Sequence, residues 1–441
     1  MSGEYSRDNL EFLTKPTTKG GIFLIELKEA EERFILITVS TGDTIKNGET
    51  VHDDTYESLE ELKELVRTAG GTTVGTLVQN REAPDHATYL GKGKVEELIQ
   101  MVQDLSATGV ICDDELTPAQ LTNLSDALDL KVCDRTQVIL DIFAQHAVTR
   151  EGKIQVELAQ LKYRQSHLIG SRSELSRLGG GIGTRGPGEK KLEIDRRLIR
   201  DRIAELRDNL DDVVRTRDVT RAARTKAGVP IAAIVGYTNA GKSTLLNKMT
   251  GAGVLEEDKL FATLDPTTRE YRLPDGQNIL LTDTVGFVRK LPHHLVEAFK
   301  STLEEAKYAD IIIQVVDSSN PDYEKHMEVT YDTLHSLGIS GQTFITVFNK
   351  WDITEADPVL SSDKYTDPRA DYVIKTSART GLGLDTLSSA LDDIIRSKRT
   401  YIERVFAFSE AGEIQRIRRN GQIISEEYLE DGIHVKAYID T

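Results

Sequence analysis

Cysteine, long apolar runs and an excess of positive charge are scarce or missing in this chain of 441 residues. Only Cys112 and Cys133 occur. Both lie in apolar runs typical of buried strands, so we expect reduced thiols rather than a disulfide framework or a metal site. No apolar run approaches the ~20 residues that span a bilayer, and no secretory signal is recognisable at the start. These absences predict a soluble, cytoplasmic protein with no membrane span.

The charge balance excludes a further class. The formal net charge is −17 at pH 7, and a net-acidic surface repels phosphate unless basic residues are concentrated locally. The composition therefore argues against a general nucleic-acid binder and gives no reason to expect DNA as a partner. The chain is long enough for about two to four domains, each with its own core.

One stretch matches the GxxxxGK[ST] spacing of a phosphate-binding loop. It follows an apolar run at 231–235 and opens into a helical pattern at 245–249, so strand, loop and helix stand in the required order. In such a loop backbone N–H groups surround the phosphates, Lys242 reaches the β and γ oxygens, and the Ser243 hydroxyl binds Mg²⁺. The predicted phosphate site comprises Gly236, Tyr237, Thr238, Asn239, Ala240, Gly241, Lys242, Ser243 and Thr244.

Two later segments stand where the switch loops of a nucleotide hydrolase belong. Phe261 begins the first, in which the Thr263 hydroxyl is expected to complete the Mg²⁺ coordination and contact the γ-phosphate. The second follows a strand pattern and consists of Asp283, Thr284, Val285 and Gly286. We expect Asp283 to hold Mg²⁺, directly or through water, and the Gly286 N–H to contact the γ-phosphate. Thr263 and Gly286, with the loop lysine, are the expected catalytic groups.

Asn349, Lys350 and Asp352 follow the apolar run at 344–348 and are expected to read the base. An aspartate accepts both the ring N–H and the exocyclic amino group of guanine, a donor pair that adenine lacks. We expect Asp352 to make this contact. Asn349 should steady the loop and the base edge, and the stem of Lys350 should cover one face of the base.

A second base-contacting loop follows the strand pattern at 372–374 and consists of Ser377, Ala378 and Arg379. We expect the Ala378 N–H to reach the guanine O6. Arg379 stands where many GTPases carry lysine, which matters little if the backbone does the reading. Four elements in this order indicate a GTPase that binds GTP and Mg²⁺.

Two residues bear on the rate of hydrolysis. Phe287 follows Gly286 where many GTPases carry a glutamine that orients the attacking water, and a phenyl ring neither donates nor accepts hydrogen bonds. We therefore expect slow hydrolysis by the isolated protein and stimulation by a partner. Asn239 resembles the asparagine of GTPases in which K⁺ beside the β/γ bridge stabilises charge. An asparagine that merely caps the loop is an equal alternative.

Alternating helix and strand patterns predict how the chain divides into domains. Residues 1–150 predict a small α/β domain with a parallel sheet. Its expected strands lie at 22–25, 34–37, 74–78, 110–112 and 130–133, and its helices at 59–66, 95–102, 121–128 and 138–143. Residues 228–397 predict an α/β P-loop GTPase domain with a doubly wound, mostly parallel sheet. Residues 398–441 predict a small C-terminal α+β appendage.

Residues 151–227 predict a long antiparallel helical hairpin. Apolar residues recur in heptads on both sides of a glycine-rich break at 179–188. Residues 162–200 carry ten Lys or Arg against four Asp or Glu, a local balance of +6. A basic, glycine-tipped arm on an acidic protein suits a phosphate-rich site such as folded RNA. The alternative is a solvated coiled coil whose loop binds nothing.

A glycine turn at 89–94, Tyr-Leu-Gly-Lys-Gly-Lys, offers a second place for a phosphate. It lies at a predicted helix start, where free N–H groups and two lysines could hold an anion. It lacks the GxxxxGK[ST] spacing, and a plain turn with solvated lysines is the favoured alternative.

Together these segments resemble the HflX family of ribosome-associated GTPases. The resemblance spans about residues 20–440. It rests on the turn at 89–94 with Glu96 and Glu97, the segments 134–136 with 139–143 and 155–159, the loop 179–189, and the GTPase elements, Phe261-Ala262-Thr263-Leu264-Asp265 included. It implies binding to the large ribosomal subunit and its rRNA, with the loop 179–188 directed into the peptidyl-transferase region. It also implies dissociation of stalled or idle ribosomes under stress.

The resemblance leaves two alternatives open. ATP binding and RNA helicase activity are attributed to the N-terminal domain in this family, although this chain shows no second set of nucleotide-binding motifs. A GTP-regulated ribosome assembly factor without splitting activity is the other alternative. We expect a monomer that is cytoplasmic and partly associated with ribosomes or with the membrane surface.

Overall fold

The computed structural model describes residues 31–46, 49–51, 53–168, 187–226, 229–251, 260–261, 266–290, 305–339, 341–357, 364–397 and 399–440. The expected strand at 22–25, most of the loop at 179–188 and Thr263 lie outside these residues. The chain divides between Ile139 and Leu140 into two compact units. The finer domain boundaries after residues 150, 227 and 397 stay predictions.

The first unit is the expected small α/β domain. Its elements are β1 (Arg33–Ser40), β2 (Thr44–Lys46), β3 (Glu49–Val51), α1 (Thr55–Thr68), β4 (Thr72–Asn80), α2 (Lys92–Asp104), β5 (Gly109–Cys112), α3 (Pro118–Leu128) and β6 (Lys131–Asp134), and α4 (Arg135–His146) crosses the division. The main sheet has the order β4-β1-β5-β6 with every pairing parallel. β1 is buried along nearly its whole length, which is typical of a parallel strand covered on both faces.

Local caps set both ends of α3. α3 begins at Pro118, three residues before the predicted start, because Thr117 and Gln120 form a reciprocal capping box. The helix ends where Asp129 adopts a left-handed conformation with φ 49°. The capping residues therefore make the helix longer than its apolar pattern predicted.

A buried ion network lies at the carboxyl end of β5 and β6. Arg135 is 1% exposed, and its guanidinium contacts Asp113, 2.8 Å away, and Glu61. The Ser58 hydroxyl donates to the second oxygen of Asp113 at 2.6 Å. A buried charge costs several kcal/mol unless it is paired and hydrogen-bonded, so this set of contacts ties α1, β5 and α4 together.

The arm is an antiparallel hairpin of α5 (Arg150–Leu168) and α6 (Pro187–Lys226), as predicted. Cross-helix contacts run in opposite directions along the two helices, joining Leu168 to Arg196, Glu157 to Arg202, and Glu151 to Arg217. The predicted heptad residues form the seam between the helices: Leu158, Ile203 and Leu206 are buried, and Ile154, Leu161, Ile199 and Leu210 pack against them.

The predicted doubly wound sheet is confirmed. Its strands are β7 (Ile231–Gly236), β8 (Thr267–Arg272), β9 (Asn278–Asp283), β10 (Ile311–Asp317), β11 (Thr343–Asn349) and β12 (Tyr372–Lys375), and its helices are α7 (Lys242–Thr250), α8 (Tyr323–Ser336), α9 (Trp351–Ala356) and α10 (Leu384–Ser397). The order is β12-β11-β10-β7-β9-β8, with only the β8–β9 pairing antiparallel. The chain leaves β7 toward one edge and returns at β10 toward the other, which opens a crevice at their carboxyl ends.

The C-terminal appendage is a small α+β unit. It contains β13 (Arg399–Phe406), a 3₁₀ turn at Phe408–Glu410, α11 (Ala411–Asn420), β14 (Gly421–Leu429) and β15 (Gly432–Asp440). The strands form an antiparallel sheet in the order β13-β15-β14. Its core comprises Phe406, Ile414, Ile433, Val435 and Ala437.

Both cysteines lie in buried strands, as predicted. Cys112 and Cys133 are buried and form no disulfide. Burial raises the pKa of the Cys112 thiol above its usual value, as expected for an inert thiol in the core. Within the described ranges, no helix has both the length and the apolar character needed to cross a bilayer.

Replacing Arg135 with methionine should destabilise the protein, because it removes the cation between the buried Asp113 and the partly buried Glu61. Breaking such a network typically costs about 3–5 kcal/mol of unfolding free energy. Urea denaturation followed by circular dichroism measures it. Arg67→Met is the matched control, since Arg67 and Glu64 form an exposed pair that contributes about 0–1 kcal/mol. Equal transitions for the two variants would contradict a structural role for the Arg135 network.

Candidate nucleotide-binding site

The predicted phosphate loop connects β7 to α7 at the crevice. Gly236 ends the strand with φ +146°, and a Cβ there would lie 2.3 Å from the Val315 carbonyl oxygen. Gly241 has φ +92°, and its Cβ would lie 2.3 Å from Nδ2 of Asn349. Side chains cannot fit at either position. Asn239 also has positive φ, 59°, a conformation that asparagine tolerates better than most residues.

The predicted phosphate and metal groups lie together. The Lys242 Nζ donates to the Tyr237 carbonyl oxygen at 2.8 Å. Burial lowers the pKa of Lys242 to about 8, and the nearby Asp283 carboxylate opposes that shift. The Ser243 hydroxyl donates to Asp283 Oδ2 at 2.7 Å. A hydroxyl and a carboxylate oxygen this close supply the hard oxygen donors that Mg²⁺ prefers, with phosphate and water completing the set.

The second predicted switch segment begins at the end of β9. The Thr284 N–H and hydroxyl both donate to the Ile234 carbonyl, the hydroxyl at 2.8 Å. Val285 is buried. A Cβ on Gly286 would lie 3.0 Å from the Lys242 Nζ, so the Gly286 backbone runs directly beside the lysine head. The structure thus brings Lys242, Ser243, Asp283 and Gly286 to one place.

A cavity of about 450 Å³ lies beside the phosphate loop. Its lining includes nine residues predicted from the sequence, and the residues that line it are Asn239, Gly241, Thr244, Asn349, Lys350, Asp352, Ile353, Ser377, Ala378 and Arg379. Asp352 lies in the first turn of α9. The loops predicted to hold phosphate and the loops predicted to read the base therefore border one space.

Asn349 joins these loops through both ends of its amide. Its Nδ2 donates to the Ala240 carbonyl at 2.8 Å, and its Oδ1 accepts from the Ala378 N–H at 2.9 Å. The sequence indicated that Asn349 steadies the loop, and the structure shows the partners. The predicted bond from the Ala378 N–H to guanine O6 stays a prediction, since that N–H must then be shared with Asn349.

Two residues were not predicted: Asp317, which pairs with the lining residue Lys350, and Ile353, which lines the cavity. Asp317 ends β10 and holds the Lys350 Nζ at 2.7 Å, while Lys350 itself adopts a left-handed conformation with φ 62°. This ion pair directs the lysine stem along the loop. Ile353 lines the cavity and is 48% exposed. Asp317 follows an apolar strand at the carboxyl edge of a parallel sheet, a position that signals ligand contact. Ile353 carries no comparable signal.

Phe261 has a packing contact in this structure. It is 3% exposed, has φ +58°, and meets Phe143 of α4 edge-to-face with ring centroids 4.6 Å apart. Positive φ is a strained conformation for a bulky residue. The role of Phe261 beside the nucleotide stays a prediction, as does that of Thr263.

The glycine turn at 89–94 is built as a structural turn. The Gly91 N–H donates to Gln79 Oε1 at 2.8 Å, and Lys94 pairs with Glu97 at 2.9 Å. Tyr89 is 2% exposed, and its hydroxyl accepts the Val39 N–H at 3.1 Å. These contacts favour the plain-turn alternative over a second phosphate site.

Three protein-family models match consecutive parts of the chain. Residues 56–144 match a model described as GTP-binding GTPase N-terminal, and residues 146–224 match GTP-binding GTPase Middle Region. Residues 231–350 match 50S ribosome-binding GTPase.

Curated relatives match nearly the whole chain. The GTPase HflX of Lacrimispora saccharolytica is 62% identical over 94% of this chain and 95% of that protein. The GTPase HflX of Escherichia coli strain K12 is 42% identical over 77% of this chain and 80% of that protein. Among solved structures, a GTP-binding protein from Sulfolobus solfataricus in complex with GDP matches 82% of this chain and 98% of that one, with 25% identity and a TM-score of 0.43.

The extent of identity to the curated relatives, together with the guanine-nucleotide motifs gathered at one crevice, decides the assignment. The chain belongs to the HflX family and is a GTPase.

Proposed function

We propose that this protein is a Mg²⁺-dependent GTPase that binds the large ribosomal subunit through the arm and dissociates ribosomes under stress. The observation that carries the proposal is the hairpin itself. α5 and α6 form an antiparallel shaft, and the basic, glycine-rich segment joins them at one end. The match of residues 231–350 to a 50S ribosome-binding GTPase model supports the same partner.

The chemistry assigned to the site follows from its donors. Bound Mg²⁺ would neutralise charge on the β and γ oxygens, with Ser243, Asp283 and Thr263 as its protein ligands. Lys242 would exchange its bond to the Tyr237 carbonyl for the phosphate oxygens. The Gly286 N–H would contact the γ-phosphate, and Asp352 would accept the two guanine donors.

Of the alternatives, the structure favours neither. An ATP-driven helicase needs a second phosphate site in the N-terminal domain, and the one candidate turn there already uses its Gly91 N–H within the fold. A GTP-regulated assembly factor without splitting activity is separated from the proposal by the ribosome experiment below. We further propose a cytoplasmic monomer that associates with ribosomes and, in part, with the membrane surface.

The first prediction concerns Asp352. Changing it to asparagine should weaken GTP binding by at least ~2 kcal/mol. The guanine edge has two N–H donors, and the amide replaces one of the two accepting oxygens of the carboxylate with an NH₂ donor. The variant should gain affinity for xanthosine triphosphate. Isothermal titration with both nucleotides measures this. Asp385→Asn is the matched control, since Asp385 lies in the first turn of α10 and is exposed. Unchanged GTP affinity in Asp352→Asn would remove Asp352 from the base site.

The second prediction concerns K⁺. If Asn239 helps to hold K⁺ beside the β/γ bridge, hydrolysis should be faster in K⁺ than in Na⁺ at equal ionic strength. Asn239→Gly should abolish the preference, since glycine keeps the positive-φ backbone and lacks only the side chain. Initial rates of phosphate release measure it. Equal rates of the unchanged protein in the two salts, or a K⁺ preference that survives in Asn239→Gly, would show that Asn239 only shapes the loop.

The third prediction concerns the ribosome. Because Phe287 cannot orient water, the free protein should hydrolyse GTP slowly, and large subunits should stimulate turnover by up to ~10³–10⁵-fold, the range known for partner-completed GTPases. A variant with residues 179–188 shortened should keep its GTP affinity and lose both stimulation and ribosome splitting. Steady-state turnover and sucrose-gradient sedimentation measure these properties. Fast turnover of the free protein, or equal splitting by the shortened variant, would contradict the proposal.

A further inference from the structure

The segment after Gly286 is paired to the phosphate loop by main-chain hydrogen bonds. The Phe287 N–H donates to the Gly236 carbonyl at 3.1 Å, and the Phe287 carbonyl accepts the Thr238 N–H at 2.8 Å. Tyr237 and Phe287 thus form a short parallel bridge. This pairing places the residue after Gly286 directly alongside the loop that surrounds the phosphates.

The Tyr237 side chain adds a third connection one step further on. Its phenol oxygen accepts the Arg289 N–H at 2.7 Å. The phenol ring is 5% exposed and stacks on the imidazole of His326 in α8, with centroids 3.8 Å apart and planes 6° from parallel. The Tyr237 ring is therefore held by its stack on His326 of α8. Its hydroxyl holds the backbone at Arg289, three residues after Gly286.

The His326 ring that stacks on Tyr237 is uncharged, and the Arg289 guanidinium acts on its pKa. Burial, reinforced by the Arg289 guanidinium, lowers the pKa of His326 to about 4, against the opposing effect of Asp322 and Asp317. His326 is thus a neutral ring near pH 7. The Arg289 guanidinium is itself buried, with Nη2 3.9 Å from Asp322 Oδ2.

Tyr237 contacts one of the groups proposed to meet the γ-phosphate region directly and the other through the chain that follows it. Its carbonyl holds the Lys242 Nζ at 2.8 Å, and its hydroxyl holds the chain three residues after Gly286. A Cβ on Gly286 would lie 2.6 Å from Thr238 Cγ2, so the Gly286 backbone is in tight contact with the loop. Small displacements of the 287–289 segment must therefore move the Gly286 N–H relative to Lys242.

We propose that Tyr237 is a positioning residue that sets the Gly286 N–H against the phosphate loop and so favours GTP over GDP. The inference rests on the proposed contact between Gly286 and the γ-phosphate. Only GTP carries that phosphate, so a residue that positions Gly286 acts on GTP affinity and on turnover, while GDP affinity is insensitive to it. The backbone of Tyr237 belongs to the predicted phosphate loop, while its side chain acts on the phosphate site only through Arg289 and His326.

The test is Tyr237→Phe, which removes the hydroxyl and retains the stacked ring. With Mg²⁺ present and without ribosomes, affinity for a non-hydrolysable GTP analogue should fall roughly 3- to 10-fold, the effect of one hydrogen bond. GDP affinity should stay within about twofold of that of the unchanged protein. The kcat for GTP hydrolysis should fall even though GDP affinity is kept. Tyr331→Phe is the matched control, because the Tyr331 hydroxyl donates to Asp367 at 2.7 Å from the same helix that carries His326.

An equal loss of affinity for GDP and the analogue would show that Tyr237 supports the fold alone. No change for either nucleotide would show that the hydroxyl positions nothing. Gly286→Ala separates this inference from the proposed site: if that variant binds the analogue normally, the Gly286 contact is wrong. If Gly286→Ala weakens the analogue and Tyr237→Phe does not, only the role of Tyr237 is refuted. The ribosome experiment is independent of both outcomes.

Discussion

The side-chain amide of Asn349 joins the parts of the nucleotide site. It is 2% exposed, and it bonds the phosphate loop at Ala240 and the base loop at Ala378 with its two ends. Gly241 lies so close to it that no side chain fits between them. Loss of this amide would leave two backbone groups of separate loops needing new partners, at a cost of about 1–3 kcal/mol each if they stay buried. The distance between phosphate and base contacts thus depends on one residue at the end of β11.

The parts of this site that the sequence predicted are local in the chain. A phosphate loop needs a strand, glycines at fixed positions and a helix, all within about 20 residues, so its spacing is visible without a structure. The parallel sheets were predictable for the same reason, since alternating helix and strand patterns leave few arrangements. Contacts between segments far apart in the chain were not predictable. Asp317 meets Lys350, and the Tyr237 hydroxyl meets Arg289 52 residues later.

The turn at 89–94 shows what a local pattern leaves open. Glycines and lysines at a helix start are compatible with anion binding, because the first N–H groups of a helix have no partner within it. Whether they stay available depends on distant residues. Gln79, twelve residues earlier, supplies the acceptor for the Gly91 N–H, and Glu97 neutralises Lys94. Neither contact is legible from the spacing of the turn.

Two of the side chains proposed to engage a nucleotide make hydrogen bonds within this site. Lys242 bonds the Tyr237 carbonyl, and Ser243 bonds Asp283. In the proposed function, binding of a phosphate and Mg²⁺ would exchange these hydrogen bonds for new contacts, and the exchange of one hydrogen bond for another contributes little net free energy. The larger effect is electrostatic and concerns the Lys242 ammonium group. Burial lowers the pKa of Lys242 to about 8, and an adjacent phosphate would raise that pKa again by favouring the ammonium form. The site is therefore suited to anionic ligands, and in the proposed function Gly286 and Asp352 would select the phosphate and the base.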